Sequence, residues 1–159
     1  MGEFERAKAI VREVLPNTNP EFACMLVASA VAGMRGLGMR HIRIGSLFWP
    51  AKFVDNPGLS MRGGWGCGGY SEHDQRLWLA EESVDTDGGF SGHTWLENEE
   101  NEVVDLMHDY DGGMREIYGE DFKRVGLYIH RPKLERLVKR FWRAQMVAAI
   151  KAGAKADGR

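Results

Sequence analysis

The chain has 159 residues, 43% of them hydrophobic and 28% charged, with a formal net charge of −2. That length is enough for one domain, 1–159, with a core of its own, and no apolar run approaches the ~18 residues of a membrane-spanning helix. Two cysteines, Cys24 and Cys67, make no disulfide framework, so a reducing cytoplasm is the expected setting. The opening MGEFERAKAIVREV is charged and amphipathic, unlike a secretory leader, and Arg6 stands where a myristoylation signal needs Ser or Thr.

In chain order, Phe4, Ala7, Val11 and Val14 fall at helical spacing and predict a first helix over 3–15. LPNTNP breaks it. Asn19 suits an N-cap, Pro20 a first turn and Glu21 the positive helix end, so a second helix runs through EFACMLVASAVAGMRG and stops near Gly36 or Gly38. Being apolar all round, it belongs at the centre of the core. MRHIRIGSLFW (39–49) alternates like a strand. The glycine-rich 50–70, with RGGWGCGGY, reads as loop, and 75–83 fits either a strand or a short helix. HTWLE and EVVDLM follow as two short strands joined by the polar NEEN, and 109–121 reads as loop or broken helix. A last helix, 131–152, starts at Pro132, carries Leu134, Leu137, Val138 and Phe141 on its core side, and frays in AGAKADGR.

Charge is segregated along the chain. Residues 71–121 hold 16 acidic and 2 basic side chains, whereas 122–159 hold 11 basic and 2 acidic. The simpler reading is mutual neutralisation. The other is a basic helix, with Arg131, Lys133, Arg136, Lys139, Arg140 and Arg143, offered to a nucleic acid or an acidic partner.

Residues 88–107, GGFSGHTWLENEENEVVDLM, raise a chemical possibility. Facing residues of a hairpin share a face, so a turn of odd length centred on Glu99 sets His93 directly opposite Asp105, ~5 Å apart at Cβ. A carboxylate in an apolar strand needs a partner, and beside an imidazole it fixes the tautomer and steadies the cation. Cys24, in the early turns of a helix, lies where the positive helix end favours thiolate. Together they form a Cys-His-Asp set suited to acyl transfer. Cys67, flanked by glycines with His73 six residues on, is a rival nucleophile, but a flexible glycine-rich loop reads rather as loop decoration or an access-gating flap. Cys67, His73, His93, His108, Asp109 and Asp111 are potential metal ligands without zinc-finger or HExxH spacing, so neither a metal nor another cofactor is called for.

EFACMLVASAVAGMRGLGMRHIRIGSLFW followed by SGHTWLENEENEVVDLM resembles the transglutaminase-like branch of the papain-fold cysteine enzymes. The resemblance covers about residues 20–107. It implies an α+β domain in which the cysteine-bearing helix packs on an antiparallel sheet including 40–48, 93–97 and 102–107. It also implies Cys24 as nucleophile, His93 as general base and Asp105 as its orienting acid, in a small bacterial or phage member acting on a protein or peptide. Trp95, Trp65 and Asn19, the last as oxyanion donor, are the candidate substrate contacts. The chain departs from the family in having NPEFA before the cysteine, where glycine, tryptophan or a polar residue is usual. A catalytically silent papain-like module that binds an acidic protein or nucleic acid is the alternative.

Overall fold

α1 spans Glu3–Val14, with Phe4, Ala7 and Val11 buried as their spacing predicts and Glu3 and Glu5 at its positive end. A computed structural model describes residues 2–18, 20, 24–48, 67–68, 93–105 and 127–159. Lys8 also lies on the buried face. Its stem packs inward while its amine meets Glu5 at 2.8 Å and sits 4.8 Å above the Phe4 ring centre.

The fold is α+β. The other helices are α2 (Cys24–Met34) and α3 (Pro132–Ala156), and a 3₁₀ turn, Met39–His41, precedes the first strand. The strands are β1 (Ile42–Phe48), β2 (Cys67–Gly68), β3 (His93–Glu97), β4 (Val103–Val104) and β5 (Leu127–His130). They form a five-stranded sheet in the order β2-β1-β3-β4, with β5 also pairing β1. Two compact units divide the chain. The first is Met1–Arg43, Thr94–Leu106 and Lys139–Arg159, and the second is Ile44–His93 and Met107–Val138.

In the first unit α2 is the centre. Every residue from Met25 to Met34 is buried, and each fully buried Leu or Val contributes ~1.5–3 kcal/mol. Ser29 escapes the penalty of burial by donating its hydroxyl to the Met25 carbonyl at 2.7 Å. Arg35 ties the end of α2 to Glu3 of α1 at 2.7 Å. α3 crosses α2 at two glycines: a methyl on Gly33 would overlap the Ile150 carbonyl oxygen, and one on Gly153 the Ala30 carbonyl oxygen.

Both helices stop the same way. At Gly36 (φ 71°) the Leu37 N–H reaches the Ala32 carbonyl and the Gly36 N–H the Gly33 carbonyl. At Gly158 (φ 77°) the Arg159 N–H reaches Ala154 and the Gly158 N–H reaches Lys155. Each is a Schellman motif built on a left-handed glycine. The expected stop of α2 at Gly36 is therefore observed. The expected fraying of AGAKADGR is not, because α3 stays helical to Ala156 and is capped by Gly158.

In the second unit β1 pairs antiparallel with β5, Gly45 facing His130, and parallel with β2, Leu47 facing Cys67. β5 was not expected, and Cys67–Gly68, read as loop, is a short strand whose backbone pairs with β1. Glu135, buried in the first turn of α3, accepts the Ile44 N–H at 3.0 Å and lies 3.0 Å from His130 Nε2. The expected strand at 39–49 begins later, since Met39–His41 turn as 3₁₀ before Ile42.

Candidate functional site

Cys24 opens α2. It is the one residue of that helix, as described, that is not buried, and it forms no disulfide. Pro20 is a buried turn residue upstream, while Asn19 and residues 21–23 lie outside the described residues. The described part of this apolar helix is thus least buried at Cys24.

Asp105 follows β4 on a hairpin whose turn is set by Asn98. The Asn98 Oδ1 accepts the N–H of Glu100 at 3.0 Å and of Glu102 at 2.8 Å, and its Nδ2 donates to Glu102 Oε2 at 2.9 Å. Asn101 takes the left-handed conformation, φ 61°, that closes a three-residue loop after a type I turn. The partners are Leu96 with Val104 and Glu97 with Val103, so the hairpin centres on Glu100. The expected centre was Glu99. One residue of difference moves the pairing by two, and continuing the register sets Trp95, not His93, opposite Asp105. The odd length of the turn keeps the odd-numbered residues of both strands on one face. Trp95 is buried and Asp105 half-buried.

The far end of this hairpin is fastened to the start of β1. His41 Nδ1 donates to the Glu97 carbonyl at 2.9 Å, its Nε2 accepts from Arg40 Nε at 3.2 Å, and Arg43 Nε meets Glu97 Oε2 at 3.2 Å. These bonds tie the end of β3 to the start of β1.

His93, the first residue of β3, belongs to the second unit. It is 3% exposed, and its ring centre lies 6.2 Å from that of Tyr128 on β5, tilted by 46°. The imidazole is thus buried beside an aromatic ring. The described geometry brings Asp105 and Trp95 together in the first unit, with Cys24 in that unit and His93 in the other. Asn19 and Trp65 lie outside the described residues. Among the described residues no three His, Cys, Asp or Glu side chains gather as a metal site.

The reading of the sequence missed two features. Glu135 is a buried acceptor for β1, foreshadowed only by its place one turn after Pro132. Leu137 and Phe141, assigned to the core, are 41% and 50% exposed. Comparison of the chain with protein-family models, with curated proteins and with solved structures gives no match.

Proposed function

We propose that the chain is a cysteine-dependent hydrolase or acyltransferase of the transglutaminase-like, papain-fold kind, acting on amide, peptide or isopeptide bonds. The observation that carries this reading is Cys24: a cysteine outside any disulfide, partly exposed, at the first described position of an otherwise buried helix. The burial of His93 in its unit and the half-burial of Asp105 in the other are in keeping with it.

In this mechanism the Cys24 thiolate adds to the carbonyl carbon and a C–S bond forms. As the tetrahedral adduct collapses, the C–N bond breaks and the His93 imidazolium gives its proton to the departing amine. The resulting thioester is attacked by water, or by an amine, whose proton passes to His93 as the C–S bond breaks and the thiolate leaves. Asp105 orients the imidazole and stabilises its charged form. Peptide hydrolysis and transfer to an amine share every step but the last nucleophile. Trp95, Trp65 and Asn19 are the proposed substrate contacts. No cofactor takes part, and a cytoplasmic setting, which keeps the thiol reduced, belongs to the same reading.

The test is alkylation by iodoacetamide at pH 7 with turnover of a panel of small acyl esters and amides. Cys24 is expected to react faster than a free thiol, and Cys24→Ser to lower turnover by roughly 10³-fold or more with the fold intact. Ordinary thiol reactivity together with turnover unchanged in Cys24→Ser would sink the enzyme reading. The catalytically silent module would then stand, favoured by the exposed cations of α3.

A further inference from the structure

α3 is long, and its outward side has two halves. Leu137, Phe141, Ala144 and Ala148 recur at intervals of four, three and four residues, the spacing of a coiled-coil seam. Leu137, Phe141 and Ala144 are exposed and Ala148 is half-buried. Lys133, Arg136, Arg140 and Arg143, all exposed, border this seam on one side. None of the four makes an ion pair among the described residues. Lys139, by contrast, donates to the Met39 carbonyl at 2.9 Å. The helix exposes no carboxylate to offset them, since its one acidic residue, Glu135, is buried.

We propose that this face of α3 docks an acidic amphipathic helix of another protein, with leucine-like side chains in the seam and carboxylates along the Lys133–Arg143 border. Charge complementarity selects this occupant. A second copy packed antiparallel would set four cations against four, and one packed parallel would offer the cations no carboxylate, since α3 exposes none. An anionic bilayer would satisfy the cations, but Ala144 and Ala148 have too little side chain to enter it, whereas small residues suit close approach of a helix. A nucleic acid would engage the cations through its phosphates and leave Leu137 without a role. The proposal is independent of whether Cys24 is catalytic.

The probe is a synthetic helix of about four heptads with leucine at the seam and glutamate on both flanks, so that it repels itself. Binding to the full chain is followed by fluorescence anisotropy in low salt. A dissociation constant on the order of 10 µM is expected. The same helix with serine in the seam, or lysine on the flanks, should bind at least about tenfold more weakly. Phe141→Ser with Leu137→Ser, and separately Arg136→Glu with Arg140→Glu, should each weaken binding about tenfold with the circular dichroism unchanged. Four results would overturn the proposal. They are no binding of the leucine–glutamate helix, equal binding of the serine version, tighter binding of phosphatidylserine vesicles or a single-stranded oligonucleotide, and self-association that Phe141→Ser abolishes.

Discussion

α2 and α3 end in the same left-handed glycine motif, yet they meet water in opposite ways. In α2 ten consecutive residues are buried and the partly exposed position is a cysteine. In α3 the buried stripe of Leu134, Val138, Met146 and Ala149 is narrow, and two large apolar side chains face outward. A buried helix with a partly exposed cysteine and an amphipathic helix that exposes Leu and Phe each break the usual rule once. Local sequence ends a helix, whereas the neighbours it packs against decide which residues it hides.

The sharpest way to break that contrast is to press on the crossing of the two helices. Gly33→Ala sets a methyl against the Ile150 carbonyl oxygen and the Ala154 nitrogen, both backbone atoms that cannot rotate away. The helices must separate, and a loss of about 3 kcal/mol or more is expected in urea unfolding. A loss below about 1 kcal/mol would show that α3 does not lie on α2 at this glycine. A smaller effect comes from the shared ending. Gly158→Ala meets no atom within 4 Å, so only its φ of 77° opposes the substitution. About 1 kcal/mol is expected, with the near-terminal position keeping it at the low end. No change at all would mean that the motif does not hold the end of α3.

What was legible in the sequence was local. Phe4, Ala7 and Val11 announce α1 by spacing, Gly36 ends α2, and the alternation of Ile42 and Ile44 marks β1. The hairpin was legible in kind but not in register, because its centre depends on Asn98 bonding two backbone N–H groups and on Asn101 turning left-handed. β5 and β2 were missed for a different reason. Leu127–His130 and Cys67–Gly68 become strands by pairing with β1, far away in sequence, and two residues carry too little pattern to announce it. Helical spacing likewise allowed Leu137 and Phe141 to face the core with Leu134 and Val138, and packing buried only the latter pair. For the candidate site, the partial exposure of Cys24 was not legible, since a helix apolar all round does not announce which position meets solvent. Nor was the facing of Trp95 with Asp105, since it follows from the register.

The smallest effect tests the outward side of α3 most directly. Ala144 lies on the exposed seam, so Ala144→Leu adds three carbons where no neighbour has to yield. Leucine is nearly as good a helix former as alanine, and surface substitutions of this kind stay within about 0.5 kcal/mol. Near-neutral urea unfolding is therefore expected, in contrast with the single methyl at Gly33. Were Ala144→Leu to cost more than about 1 kcal/mol, the position would be packed and the exposed half of α3 would have to be redrawn. A gain of similar size that grows with protein concentration would point the other way, to two copies meeting at this seam despite their cations. Neutrality leaves the seam as a surface that the isolated chain tolerates and does not use, which is the condition a docking face must meet before its partner arrives.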